Sequence, residues 1–232
     1  MVSTGPNYRY ERFKQSNYDP ASFPGPVAGG EVNFNYEFTD LDGEKVYLND
    51  YQGKWLVIEC GSLTCPMYVK DINAFQELQD AYPEIEWLVV YIREAHPGNK
   101  LKQADSIEEK IAYAKRSQND YGERRKIVVD DLAGSWHHDW GLWPNFVYVI
   151  NPDGICVYRA DWSMAEKFAD VLENRDNLNT AERVSHMGSA PWVFIPVTLK
   201  GGWLAFWDLI KIMPKALSAI IIHRIKATRS NT

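Results

Sequence analysis

The chain predicts an α/β fold in which one central mixed sheet is covered by helices on both faces, and three patterns carry that expectation. Short runs rich in β-branched and aromatic residues alternate with amphipathic stretches at helical spacing. Asp-Gly turns mark a hairpin at either end of that alternation, and Ser-x-x-Glu signatures open helices between strands. Units of β-α-β followed by β-β-α leave a single sheet with helices on its two sides as the simplest arrangement.

The elements follow in order. Tyr36-Glu-Phe38 and Lys45-Val-Tyr-Leu48 flank Asp42-Gly43 as a hairpin. Trp55-Leu-Val-Ile-Glu-Cys60 is a short β-rich run entered from Tyr51-Gln-Gly-Lys54. Tyr68, Ile72, Phe75, Leu78 and Tyr82 recur at helical spacing, which predicts one helix with Thr64 as its N-cap and Pro66 in its first turn. A buried strand follows at Glu86–Ile92, then a helix from Ser106, capped with Glu109, to about Ser117, and a strand at Lys126–Val129. A short helical stretch spans Leu132 to Trp140, and Phe146–Ile150 with Ile155–Arg159 forms a hairpin across Asp153-Gly154. Ser163 with Glu166 is the expected cap of the last core helix, whose apolar side is Met164, Phe168, Val171 and Leu172.

Three segments result: an extended N-terminal arm over 1–30, an α/β core over 31–176, and an apolar, helical C-terminal extension over 177–232. In that extension Trp192, Phe194, Trp203, Phe206, Trp207 and Ile220-Ile-Ile222 need covering, and Arg224, Lys226 and Arg229 follow them. The stretch 190–225 suits packing on the chain's own core, a homo-oligomer or a membrane surface, whereas Pro214 and the spaced charges argue against a spanning helix. With 232 residues, a formal charge of -6 and no basic footprint, nucleic acid is excluded as the expected partner. The 3 cysteines make no disulfide framework, and the N-terminus carries no apolar signal core, so the expected setting is the reducing cytoplasm, with a contact peripheral to the membrane through the extension.

Cys65 is the residue that needs explaining. It stands where a strand gives way to a helix, and unpaired N–H groups and the helix dipole there favour a thiolate, so the thiol is expected to ionise below its usual range. Chemistry in an open α/β sheet collects in loops beyond the strands' carboxyl ends, which gathers Cys65, Glu94 and His96. The imidazole of His96 could hold a proton or steady the thiolate, with Glu94 orienting it. Cys60 lies inside its strand, and Cys156 at the start of a later one reads as structural. His137-His138-Asp139 has no partner at a zinc-like spacing and reads as an exposed polar turn, so no metal is expected.

Gly61-Ser-Leu-Thr-Cys-Pro66 followed by Val90-Tyr-Ile-Arg-Glu-Ala-His-Pro97 resembles the paired signature of the iodothyronine deiodinase family: a Gly-Ser-x-Thr-selenocysteine-Pro loop and a Tyr-Ile-x-Glu-Ala-His segment. The resemblance runs from about Phe34 to Glu173 and places Cys65 at the selenocysteine position. It implies a thioredoxin-like, peroxiredoxin-related fold, with Ser62, Thr64 and Pro66 supporting the thiolate. It also implies a cis Pro144 facing the cysteine, with Trp143 lining a substrate cleft. The pattern is not complete. Phe146 stands where the family has a substrate-clamping arginine, Arg93 where it has an acidic residue, and Leu63 where some relatives carry a resolving cysteine, which leaves Cys60 as the nearest substitute. A tryptophan shortly beyond the family's histidine is missing from Pro97-Gly-Asn-Lys-Leu101, and Ala160-Asp-Trp-Ser163 replaces a Gly-Pro segment.

The expectation is a thiol-dependent oxidoreductase with no bound cofactor. Cys65 attacks a small electrophile, either a halogenated aromatic or a peroxide, and thioredoxin, glutathione or a similar external thiol restores it. Two alternatives stand beside this: a thioredoxin-like peroxide or disulfide reductase, and a non-catalytic redox-fold subunit that assembles through its C-terminal arm.

Overall fold

In the computed structural model, which describes residues 8–18, 23–182 and 189–211, the first hairpin is β1 (Glu37–Asp40) and β2 (Lys45–Tyr47), turned at Asp42-Gly43. Three parallel strands form the centre: β3 (Trp55–Gly61), β4 (Ile85–Tyr91) and β5 (Lys126–Val129). The second hairpin joins β6 (Val147–Ile150) to β7 (Cys156–Ala160), and a short β8 (Thr180–Glu182) adds an edge that the sequence did not suggest. Together they make an eight-stranded sheet in the order β2-β1-β5-β4-β3-β6-β7-β8. The fold is thioredoxin-like.

The period of two along β3 decides what each face carries. Leu56, Ile58 and Cys60 point to a cluster with Trp136, Trp140, Phe146 and Tyr148, roofed by α4 (Ser135–Trp140) and by Phe23 and Phe34 of the N-terminal segment. Val57 points the other way, to Phe75 of α2 (Ile72–Ala81) and Phe168 of α5 (Ala165–Glu173). On that second side, α3 (Ile107–Tyr121) brings Ala114 against Val89, Tyr91 and Ile127, in the cluster that also holds Cys65, Tyr68 and Ile72. Ser106 caps α3 as expected, its hydroxyl accepting the Glu109 N–H at 3.2 Å, and Gly122 ends it in the left-handed region at φ 66°.

Three local expectations are corrected. The helix after β3 is broken into α1 (Pro66–Val69) and α2; Tyr68 and Ile72 still reach one cluster, so the apolar period runs across the break and hides it. Cys65 itself is the N-cap of α1, because the Thr64 hydroxyl is engaged elsewhere. Met164 rather than Ser163 caps α5, since the Ser163 hydroxyl is drawn inward to Glu59 and Asn145.

The arm is no free lead-in. Tyr8 and Tyr10 are buried, and Glu31 bridges to Ile155. At the other end, α6 (Pro191–Lys200) and a helix over 203–211, α7, dock on the loop after β4 through Lys100 N–H to Gly201 O at 3.0 Å and Leu204 N–H to Asn99 Oδ1 at 3.0 Å. The approach is close enough that a Cβ on Gly201 would lie 2.2 Å from the His96 carbonyl oxygen. Ala205 and Leu209 are covered, while Trp192, Trp203 and Trp207 stay exposed. Ile220–Ile222 and the basic residues beyond lie outside the described residues.

Candidate functional site

Two loops at the carboxyl ends of β3 and β4 are tied together by their own polar groups. The Glu94 carboxylate accepts the Thr64 N–H at 3.0 Å and the Thr64 hydroxyl at 2.6 Å, and it also accepts the Tyr91 hydroxyl. Ser62 Oγ accepts the Ala95 N–H at 3.1 Å, and Thr64 Oγ1 accepts the His96 N–H at 3.0 Å. Gln103 holds the Glu94 main chain from both sides, at 2.8 and 2.9 Å. Ser62, Thr64 and Glu94 are therefore buried fasteners that bring the Cys65 loop against the His96 loop. Gly61 is required just before them, because a Cβ there would lie 2.3 Å from the Tyr68 ring.

Cys65 is 1% exposed. Burial pushes its thiol up to about 12, and the Tyr68 and Met67 N–H groups at the start of α1 act only partly against it. This corrects the expectation of a lowered pKa: the helix start supplies the favourable dipole, but loss of water outweighs it in this state. His96 is likewise pushed down to about 3 by burial, its Nδ1 is buried without a hydrogen-bond partner, and its ring packs on Phe13 at 4.7 Å. Burial raises Glu94 above the usual carboxylate range, opposed by the Thr64 and Tyr91 hydrogen bonds. Burial thus favours the neutral forms of the Cys65 thiol and of the His96 imidazole.

Cys60 is poorly placed to resolve Cys65. It belongs to the opposite cluster of the sheet, donates its S–H to the Trp143 carbonyl at 3.7 Å and accepts the Phe146 N–H at 3.3 Å. Cys156 is buried in β7, in line with a structural part. The Trp143-Pro144 bond is trans, since no cis peptide occurs among the described residues, which corrects the cis expectation. The Trp143 ring stacks on Tyr18 at 5.9 Å and meets Trp162 edge-on at 5.3 Å. His137 is no exposed turn residue. It is buried, with Nδ1 bonded to the Tyr8 hydroxyl at 3.0 Å and Nε2 to the Trp143 carbonyl at 2.8 Å.

Sequence reasoning missed the charged network behind the thiol. Arg125 Nη1 donates to Glu59 at 2.6 Å and Nη2 to Glu123 at 2.6 Å, while Asn145 Nδ2 donates to Glu59 at 2.9 Å and to the Cys60 carbonyl at 3.0 Å. Tyr68, on α1 just past Cys65, donates to Glu123 at 2.9 Å. A polar residue inside an otherwise apolar β3 was the available signal for Glu59, and it had no visible partner in the linear sequence.

This burial leads to a test by alkylation. In native protein at neutral pH, iodoacetamide should label all three cysteines slowly, with Cys65 first because only it lies outside a strand. Mass spectrometry against a urea-unfolded control reads this, and fast labelling of Cys60 in native protein would contradict the packing.

The family model for iodothyronine deiodinase matches residues 20–169. Among curated relatives, thyroxine 5-deiodinase of Sus scrofa is 30% identical over 114 residues, covering 45% of this chain and 37% of that protein. The Homo sapiens thyroxine 5-deiodinase is 29% identical over 147 residues, covering 58% and 46%. The chain thus spans less than half the length of these relatives. A crystal structure of a hypothetical protein from Sinorhizobium meliloti superposes with a TM-score of 0.51 at 12% identity, covering 72% of this chain and 93% of that one, a likeness of fold alone. With the family match extending over most of the sheet and both signature loops, the chain belongs to the iodothyronine deiodinase family.

Proposed function

We propose that this protein is a thiol-dependent reductive dehalogenase whose nucleophile is Cys65. The observation that supports it most directly is the fastening of the Cys65 loop to the His96 loop by Thr64 and Glu94, which sets a thiol, an imidazole and a carboxylate at one edge of the sheet.

In this reading His96, neutral at rest, takes the Cys65 proton when substrate enters, so the thiolate exists only in the loaded site. The thiolate attacks the halogen of an aryl halide, the carbon–halogen bond breaks, and the ring carbon receives a proton from the imidazolium. The products are the dehalogenated ring and a Cys65 sulfenyl halide. A first external thiol displaces halide as HX and forms a mixed disulfide; a second releases its own disulfide and restores Cys65. The sum is aryl halide plus two thiols giving arene, HX and one disulfide. Thioredoxin, glutathione or a similar cytoplasmic thiol would serve, and the exposed Trp192, Trp203 and Trp207 would meet a second copy or a membrane surface.

The raised thiol pKa supports a second reading, a redox-fold subunit without turnover. One assay separates them: halide release from iodinated aromatics with dithiothreitol, run beside peroxide consumption. Halide release supports the dehalogenase, peroxide loss alone a peroxidase, and neither activity the interaction subunit. His96→Gln and Glu94→Gln should each lower turnover roughly 100-fold, the low end of the usual range for a proton-transfer group. Glu94→Gln should also lower the thermal midpoint, since Glu94 is a fastener as well, whereas His96→Gln should leave it near wild type. Unchanged kcat in the His96 variant would remove the imidazole from the mechanism.

A further inference from the structure

The C-terminal helices, which lie beyond the residues matched to the family, touch both signature loops at once. α6 packs against α1, the turn that Cys65 caps, and the junction of α6 with α7 sits on the loop that carries His96. The Gly201 carbonyl accepts the N–H groups of Lys100 at 3.0 Å and Leu101 at 3.4 Å, and a Cβ on Gly98 would lie 2.5 Å from that oxygen. Lys200 pairs with Asp120 and stands over the Tyr121 ring at 5.8 Å, and the Tyr121 hydroxyl donates to Leu63 O in the Cys65 loop at 2.7 Å. From the other side, Asp208 of α7 accepts Arg12 Nε at 2.6 Å and Nη2 at 2.5 Å, while Phe13, next in the chain, packs on the His96 ring.

This attachment is rich in polar ties and poor in apolar burial. Among the described apolar side chains of α6 and α7, Val197, Ala205 and Leu209 are buried, whereas Trp192 is 79% and Trp203 60% exposed. A segment held in this way belongs to the part of a fold that opens locally before the core does. What lies beneath it is dry: the Cys65 side chain is buried, and His96 Nδ1 is enclosed without a hydrogen-bond partner, a cost that contact with water would relieve.

We propose that α6 and α7 form a cover over the Cys65–His96 site, latched to the N-terminal arm by Arg12 and Asp208, and that the thiol reacts only while the cover is lifted. This rests on Cys65 being the reacting thiol and names how access to it is regulated. Lifting parts Gly201 from Lys100 and Leu101, admits water to His96 Nδ1 and frees α1, while the sheet stays intact. Cys60 and Cys156 lie in β3 and β7, so they report loosening of the whole fold, and Cys65 reports the cover.

Iodoacetamide labelling of each cysteine in the full native chain, read by mass spectrometry, tests this, because labelling tracks the population of the open form when closing is fast. Gly201→Ala is the wedge. Gly201 has φ -65°, which alanine adopts freely, so the penalty is steric, from a Cβ 2.2 Å from the His96 carbonyl oxygen and 2.8 Å from the Ala205 Cβ. The variant should raise Cys65 labelling about fivefold or more, with Cys60 and Cys156 within about twofold of wild type. Asp208→Asn, which weakens the latch without adding bulk, should shift the labelling in the same way and decides alone if Gly201→Ala does not fold. A smaller rise at Cys65, or one shared equally by Cys60 and Cys156, overturns the cover. The expected labelling together with no halide release by wild-type protein would overturn the dehalogenase and leave the cover standing; halide release with unchanged labelling would do the reverse.

Discussion

Cys65→Ser is expected to lower halide release by about 10³-fold or more, a loss of roughly 4 kcal/mol of transition-state stabilisation at 1.36 kcal/mol per tenfold. A serine hydroxyl is barely ionised at neutral pH, and its oxygen is far less able than sulfur to accept a halogen and then yield it to an external thiol. Because the substitution replaces one atom in a buried position, the thermal midpoint should hardly move, which separates lost chemistry from lost structure. Cys60→Ser keeps an acceptor for the Phe146 N–H and should retain most of the activity, since Cys60 faces the other side of the sheet. Equal losses in the two variants would make Cys60 an obligate resolving thiol and force β3 to open during turnover.

Arg125→Met should give the largest loss of stability. Arg125 is 1% exposed and is the cation bonded to both Glu59 and Glu123, themselves buried. Burial works against its charge, but the two carboxylates raise its pKa above the usual guanidinium value. Removing one member of a buried ion network leaves uncompensated charge, at a cost of about 3–5 kcal/mol. For a chain of this size that corresponds to a fall in thermal midpoint of roughly 10 °C. Lys54→Ala, which breaks the exposed pair with Glu86, is the control and should leave the midpoint within error. Arg125→Met should also raise the susceptibility of Cys65 to alkylation, because Tyr68 on α1 leans on Glu123. A midpoint close to wild type in Arg125→Met would show that Glu59 and Glu123 take up protons at little cost and that the network does not hold the site.

Period and punctuation made much of the architecture legible. β5 occupies Lys126–Val129 as the apolar run suggests, both Asp-Gly hairpins form, and Ser106 caps α3, since these depend on neighbours a few residues away. The two signature loops were legible for the same reason: each is a contiguous string with its own chemistry. Where two local rules competed for one side chain, the sequence could not arbitrate. Thr64 and Ser163 are good caps by composition, yet their hydroxyls go to Glu94 and Glu59, residues distant in the chain.

What the sequence by itself determined is therefore the alternation of strands and helices, the position of Cys65 between them, and the residues able to do thiol chemistry. Tertiary structure alone decided their state. The helix start at Cys65 favours a thiolate locally, but desolvation depends on everything packed around the sulfur, and it wins here, carrying the thiol to about 12. In the same way Arg93 is one more charged residue in a loop until the arm folds back and lays Tyr8, Tyr10 and Tyr18 around it. Backbone patterning is set by short-range sterics and hydrogen bonding. Ionisation and access are set by the loss of water, which no short window of sequence contains.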